Sequence, residues 1–171
     1  MISKILVAID ESASSEWAFD TALTMAKSLK AELLLVHVLD SFSPDSPQPP
    51  CVSVDSFLMD RESPAQSKYE QRWQQVENRY DRLLRSRRAS AEAVDVVATS
   101  LQERGTPGQK ICEVAKKNGV DLIVVGNRDR TNQNSISSYL VHHAPCSVTV
   151  VHPKAHYEAY SQTDVSRAVA V

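Results

Sequence analysis

The sequence predicts an α/β fold, in which a doubly wound, five-stranded parallel sheet in the order 3-2-1-4-5 carries helices on both faces. Short continuous apolar runs, typical of strands buried on both sides, occur at Ile5–Ile9, Leu33–Val38 and Leu122–Val125. Segments with apolar residues at helical spacing separate these runs. Such alternation favours a parallel sheet with right-handed crossovers, and ligands bind such sheets at the carboxyl ends of the strands.

The N-terminal part of the chain contains a β-α-β unit followed by a long loop. The first strand breaks at Asp10, and candidate caps for a helix follow: Ser12, Ser14 and Ser15. This helix is expected to bury the residues that recur at helical spacing: Ala18, Ala22, Met25 and Leu29. After the second strand, residues 41–65 hold most of the prolines and several serines. That composition predicts a mobile insertion loop.

The middle of the chain is predicted to form a long helix, a third strand and a shorter helix. The long helix begins at Gln66, and one face carries a stripe that is expected to pack on the core: Tyr69, Trp73, Val76, Tyr80 and Leu83. The third strand is predicted over Val94–Leu101. Gly105-Thr106-Pro107 turns the chain into the shorter helix, which ends at Asn118-Gly119 with a left-handed cap. Its buried face is expected to hold Ile111, Val114 and Ala115.

A strand, a glycine turn, a polar loop, a helix and an edge strand follow one another over residues 121–151. The strand ends at Gly126, and polar residues come next: Asn127, Arg128 and Arg130. The last helix is predicted over residues 134–143, starting among Asn134, Ser135 and Ser137, and the edge strand over Cys146–His152. Free N–H groups at a helix start favour anions, so this order predicts a phosphate-binding corner.

Several of these residues also have a purely structural interpretation. Asp10 is a preferred helix cap, Gly126 permits a tight strand exit, and Ser135 with Ser137 is typical of a helix start. His37 lies within a buried strand and is expected to be a core histidine with satisfied hydrogen bonds. The cysteines divide in the same way: Cys112 and Cys146 are expected to pack, whereas Cys51 is the candidate for redox reactivity.

Composition and motifs argue against several function classes. The 171 residues carry a formal net charge of −2, without the basic excess of nucleic-acid or membrane-surface binders. Three cysteines without a CxxC pair indicate neither a disulfide framework nor a zinc site, and the adjacent His142 and His143 cannot form an i, i+4 metal pair. No apolar run approaches the roughly 20 residues of a membrane span, so a cytoplasmic protein is expected. No GxSxG elbow, HExxH motif or P-loop lysine indicates an enzyme.

Several separated segments together resemble the universal stress protein family. They are KILVAIDES, LLLVHV, GTPGQKICEVAKKNGVDLIVVGNRD and SSYLVHHAPCSVTVV, in that order over residues 3–152. The resemblance implies a Rossmann-like sheet of the predicted order, a homodimer formed through the edge strand and, in one branch of the family, binding of ATP or AMP. Residues 1–152 are accordingly assigned to one universal stress protein domain and residues 153–171 to a C-terminal tail.

The resemblance also implies where a nucleotide lies. Asp10 matches an acidic residue that contacts the adenosine part, and Ala8 and Val38 match positions whose backbone borders adenine. The family's phosphate motif is a glycine, two residues, a second glycine, nine residues, and then Gly-Ser or Gly-Thr. Here Gly126 keeps the first position, but Asp129 replaces the second glycine. The candidate nucleotide-binding residues are Ala8, Ile9, Asp10, Val38, Val125, Gly126, Asn127, Arg128, Asn134, Ser135 and Ile136.

The altered motif changes the expected ligand. Asn134 and Ser135 take the place of the last glycine pair after only four intervening residues, which leaves the loop five residues short. Bound phosphate oxygens need several inward N–H groups, and glycines permit that close approach of the backbone. Asp129 adds a carboxylate that would repel phosphate. AMP is therefore favoured over ATP, with or without Mg²⁺, and no cofactor is required.

The predicted function is that of a regulatory stress-response protein which binds an adenine nucleotide. It is expected to form a homodimer through residues 146–152 and to act on an unidentified protein partner, without binding nucleic acid or a membrane. Two alternatives stay open. One is a nucleotide-free protein-interaction module of the same family, and the other is a slow ATPase.

Overall fold

The computed structural model describes residues 1–43, 46–50, 64–127 and 135–152. Their strands are β1 (Lys4–Ala8), β2 (Glu32–Leu39), β3 (Ala98–Arg104), β4 (Leu122–Gly126) and β5 (Ser147–Val151). Their helices are α1 (Ala13–Leu29), α2 (Pro64–Glu92), α3 (Pro107–Lys117) and α4 (Ile136–His143). Several sequence predictions lie outside these residues: those for most of the 41–65 loop with Cys51, for Arg128, Asp129, Arg130 and Asn134, and for the tail 153–171.

The five strands form one parallel sheet in the order β3-β2-β1-β4-β5, which confirms the predicted fold class and strand order. The central strand β1 pairs with β2 on one side and β4 on the other, with Ile5 opposite both Leu33 and Leu122. The chain order reverses at β1, so the carboxyl ends of β1, β2 and β4 lie side by side. Sheets of this topology bind ligands at that edge.

Alternating strand residues divide the core into two layers, as expected for a sheet covered on both faces. Ile5 and Val7 of β1 point into a layer shared with α1 and α2, whereas Leu6 points into a layer shared with α3 and α4. α3 buries the predicted residues Ile111, Val114 and Ala115, and Gly119 beyond it has the predicted left-handed conformation. No helix in the described parts of the chain is apolar enough over a sufficient length to cross a membrane.

The buried face of α1 differs from the prediction at its C-terminal end. Ala18 and Ala22 are buried as predicted, but Leu29 is 47% exposed. Ala26, fully buried, occupies the last core position instead. The helix ends at the left-handed Lys30, directly after Leu29, so the Leu29 side chain lies at the exposed end of α1.

Two other boundaries shift. Pro64 begins α2, because proline suits the first turn of a helix, so residues 64 and 65 belong to that helix and not to the loop. β3 begins at Ala98 and not at Val94. Asp95 has a positive φ of 62°, which no strand residue adopts, so Val94 lies in the turn that precedes β3. The hydrophobic pattern of the predicted strand reflects the burial of Val96 in the core and not strand pairing.

Candidate functional site

A cleft with a volume of about 220 Å³ lies at the carboxyl ends of β1 and β2. Five of the predicted nucleotide-binding residues line it: Ala8, Ile9, Asp10, Val38 and Ile136. They come from three separate parts of the chain, which the sheet order brings together. The structure therefore brings these five residues together at one cavity.

The cleft has one apolar wall and one mixed wall. Pro107 and Ile111 of α3, together with Ile136 of α4, form the apolar wall. The opposite wall consists of Val76 and Tyr80 of α2. Strand residues close the bottom: Ala8, Val36, His37 and Val38. The arrangement is a slot between two helical layers, a shape that suits a flat ring with apolar faces.

Asp10 organises the turn between β1 and α1. Its Oδ1 accepts a hydrogen bond of 2.7 Å from the N–H of Ser12, and its own N–H donates to Ser15 Oγ at 2.9 Å. Ser12 is the N-cap of α1, because its hydroxyl accepts from the N–H of Ser15. Asp10 is thus not the helix cap itself but the residue that holds the turn before it. The turn fixes its carboxylate at the wall of the cleft.

His37 joins the bottom of the cleft to the α2 wall. Its side chain is buried with 7% of its surface exposed, and Nδ1 donates to the carbonyl oxygen of Ile9 at 2.7 Å. The imidazole stacks on Tyr80 with a centroid distance of 3.5 Å. Burial lowers the pKa of His37 below its ordinary value, against the opposing effects of the Ile9 hydrogen bond and of nearby carboxylates. His37 is a satisfied core histidine, as predicted.

The sequence interpretation missed the role of Tyr80 in the site. The helical spacing of Tyr80 from Trp73 predicts that Tyr80 packs on the core. Trp73 is indeed buried, whereas Tyr80 is half-buried and lines the cleft over His37. No local pattern signals this contact, because the two rings meet only when α2 crosses the end of β2.

At the predicted phosphate corner, Gly126 is required for the packing of α1 against β4. A Cβ atom on this residue would lie 2.2 Å from the carbonyl oxygen of Ser14, in the first turn of α1. The missing side chain therefore allows α1 to pack against β4, whatever ligand the corner holds. Val125 is buried in the core, and neither residue is among those that line the cleft.

The described polar residues of the corner also have structural partners. The Asn127 N–H donates to Val151 at 2.9 Å, and its Nδ2 lies 3.4 Å from Nδ1 of His152. Its buried Oδ1 has no hydrogen-bond partner within the described structure. Ser135 is the N-cap of α4 and accepts from the N–H of Ser138 at 3.2 Å. Among these atoms, Asn127 Oδ1 is the acceptor that still lacks a donor.

Comparison with known proteins identifies relatives along most of the chain. A model of the universal stress protein family matches residues 1–152. A universal stress protein of Synechocystis is 39% identical over 88 residues, covering 48% of this chain and 82% of the relative. A putative universal stress protein of Staphylococcus haemolyticus is 31% identical over 153 residues, covering 86% of this chain and 82% of the relative.

Solved structures share the fold at low sequence identity. A universal stress protein in complex with cAMP has a TM-score of 0.63 at 18% identity and covers 88% of this chain and 97% of its own. A family protein of Arabidopsis thaliana with AMP bound has a TM-score of 0.59 at 20% identity. The match covers 90% of this chain and 94% of the Arabidopsis chain. A universal stress protein of Archaeoglobus fulgidus in complex with dAMP has a TM-score of 0.55 at 14% identity. The match covers 88% of this chain and 97% of the Archaeoglobus chain.

Proposed function

Because the chain belongs to the universal stress protein family, we propose that it is a regulatory protein that binds an adenine nucleotide at the carboxyl ends of β1 and β2. The observation that carries the proposal is the cleft itself. It lies where ligands bind doubly wound sheets, and it collects Ala8, Asp10 and Val38, the three residues that the family resemblance assigns to adenosine.

The size and lining of the cleft support a nucleoside. Its volume of about 220 Å³ lies below the roughly 300–1,000 Å³ of pockets for drug-sized ligands. A base with its sugar fits such a space better than a complete triphosphate does. Apolar side chains on one wall and the stacked Tyr80 on the other suit the faces of adenine. The backbone at Ala8 and Val38 supplies polar groups for its edge.

Asp10 is proposed to bind the ribose. A carboxylate accepts hydrogen bonds from hydroxyl groups, and a charge-assisted bond of this kind contributes about 1.5–3 kcal/mol. The Ser12 N–H holds the carboxylate, and the Ser15 hydroxyl holds the backbone of Asp10, before the ligand arrives. Little conformational entropy is then lost on binding.

A monophosphate is the proposed form of the ligand. Gly126, Asn127 and Ser135 are proposed to lie near its phosphate, together with Arg128 and Asn134 and beside the buried Val125. The start of α4 at Ser135 supports a phosphate at this corner, because free N–H groups at a helix start favour anions. The relatives solved with cAMP, AMP and dAMP each hold a nucleotide with one phosphate.

Calorimetry with adenosine, AMP and ATP tests the proposal. Wild-type protein is expected to bind AMP. Asp10→Asn is expected to lower the affinity for adenosine and for AMP about tenfold, because the amide keeps an acceptor for the Ser12 N–H but loses the charge. Asp95→Asn, in the remote turn before β3, is the matched control and is expected to change neither affinity. Absence of binding by any adenine ligand at about millimolar concentration contradicts the proposal.

A nucleotide-free interaction module is the second candidate. Gly126 and Ser135 favour it, since helix packing and helix capping account for both residues without a ligand. The two candidates differ in thermal melting. A nucleotide-binding protein is stabilised by added AMP in proportion to the logarithm of its concentration, whereas a module that binds no nucleotide is not.

A further inference from the structure

A second groove with a volume of about 600 Å³ runs along the exposed face of α2. Four long polar side chains of the helix line it: Arg72, Gln75, Arg79 and Arg82. Their spacing of three, four and three residues places them on one helix face. Residues 46–48 form the other side. We call this feature the arginine groove.

Two of the three arginines of the groove, Arg72 and Arg82, differ from the neighbouring arginines of α2 in how they are paired. Beyond the groove, Arg85 pairs with Asp81, Arg87 with Glu16 and Arg88 with Glu92. Within the described chain, Arg72 and Arg82 have no carboxylate within 4.0 Å. Among the described residues, two arginines of the groove therefore have no carboxylate partner, in a protein whose formal net charge is −2.

The arginine groove adjoins the cleft. Ser46 and Val76 line both cavities, so the groove lies next to the α2 wall of the cleft. This wall lies opposite Pro107, Ile111 and Ile136. A ligand that fills the cleft can thus extend a charged group along α2.

We infer that the arginine groove binds the phosphate groups of a small polyphosphate ligand. The planar guanidinium fork matches phosphate oxygens in two-point hydrogen bonds, and Gln75 adds an amide donor. The short length of the groove and its three arginines suit a small molecule, whereas nucleic acids need longer basic surfaces. The phosphates belong either to a free polyphosphate anion or to a nucleotide whose adenosine is seated in the cleft. The second case rests on the proposed adenosine site and directs the phosphates toward α2 instead of toward Gly126.

Substitution of Glu11 is expected to strengthen anion binding, the opposite of the effect of removing an arginine. Arg79 donates to both carboxylate oxygens of Glu11 through Nε and Nη2, in a two-point ion pair between α2 and the β1–α1 turn. An incoming phosphate must compete with Glu11 for this guanidinium. Removal of the Glu11 charge therefore strengthens anion binding at the groove, whereas general damage to the fold weakens it.

The experiment is calorimetric titration of the full chain with inorganic pyrophosphate, adenosine, AMP and ADP. The double variant Arg72→Gln/Arg82→Gln is expected to lower either the affinity for pyrophosphate or the ratio of the affinities for ADP and adenosine. The expected decrease is on the order of tenfold or more. Glu11→Gln is expected to raise the same affinity, or the same ratio of affinities, several-fold. Arg85→Gln/Arg88→Gln, which removes two arginines already paired outside the groove, is the charge-matched control and is expected to have less than about a twofold effect.

The four ligands separate the two phosphate sources and the two proposals. Pyrophosphate binding that depends on Arg72 and Arg82 assigns the groove to a free anion, and it stands even if adenosine does not bind. An arginine-dependent advantage of ADP without pyrophosphate binding assigns the groove to the nucleotide. If adenosine binds while the double variant changes neither quantity, the groove inference is overturned and the proposed function stands. If the wild type binds none of the four, both are overturned.

Discussion

Gly126 is expected to matter for the stability of the ligand-free protein. Gly126→Ala places a methyl group 2.2 Å from the Ser14 carbonyl oxygen, and both are backbone-anchored, so α1 and β4 must separate. Overpacking of this kind costs about 1–3 kcal/mol. Denaturant unfolding without nucleotide measures the loss.

Gly119 supplies the control for that substitution. It has a left-handed φ of 61° and open space around the position of a Cβ atom. Gly119→Asn is expected to cost less than about 1 kcal/mol, because asparagine tolerates this conformation. If Gly126→Ala leaves unfolding unchanged and weakens nucleotide binding alone, the bare α-carbon serves the ligand and not the packing of α1.

The buried imidazole of His37 predicts a pH dependence of folding. Burial lowers the pKa of His37 in the folded protein, while Ile9, Asp10 and Glu11 oppose the shift without reversing it. Below about pH 6.5 the unfolded chain binds a proton at this position that the folded chain does not, so this contribution to stability is present above that pH and is lost as the pH falls.

The test of His37 compares two slopes. The free energy of unfolding of the wild type is expected to fall between about pH 7.5 and pH 5, and His37→Gln is expected to show a shallower fall because glutamine does not titrate. Glutamine keeps an N–H donor for the Ile9 carbonyl. The exposed His142→Gln serves as the control. Equal slopes for all three proteins would mean that His37 does not carry the pH dependence.

At the scale of the element, the short helix α4 depends on its cap. It has eight residues, and the Ser135 hydroxyl satisfies the N–H of Ser138. Ser135→Ala is expected to lower the free energy of unfolding by about 1 kcal/mol, whereas Ser135→Asp is expected to preserve it because aspartate is an equally good cap. Chemical denaturation measures both, and a neutral Ser135→Ala variant would contradict the capping role.

The secondary structure was predictable wherever local burial decided it. Apolar runs predicted β1, β2 and β4, and Pro107 with Gly119 set the limits of α3. The pattern failed where a buried side chain lies outside regular structure. Val96 is buried between the turn at residues 93–95 and β3, which is why the apolar pattern predicts too early a start for the third strand.

At the scale of the whole molecule, the sheet order was predictable because parallel sheets admit few connections between short strands. The side-chain partners were not. The contacts of Gly126 with Ser14 and of His37 with Tyr80 join elements far apart in the chain, as does the pairing of Arg79 with Glu11. Each depends on how helices cross the sheet, which residue spacing within one element does not encode.

The two edge strands of the sheet, β5 and β3, are expected to differ in their role in dimer formation. We propose that the chain forms a homodimer through β5, whose outer side has no partner strand among the described residues. Val141 of the adjacent α4 is an apolar side chain with 57% of its surface exposed. Its burial against a second copy would contribute to such an interface. At the opposite edge, Val97 precedes β3 and is 64% exposed.

Matched substitutions at these valines distinguish the edges. Both side chains are exposed, so a glutamate at either position has little cost for folding, but a charge buried without a partner opposes association. Val141→Glu is therefore expected to shift the protein toward monomer, and Val97→Glu to leave the dimer intact. Size-exclusion chromatography with light scattering over a range of concentrations measures both. A wild type that stays monomeric contradicts the dimer, and dissociation by Val97→Glu alone places the interface at β3, because only a residue inside the interface transfers its charge out of water when two copies meet.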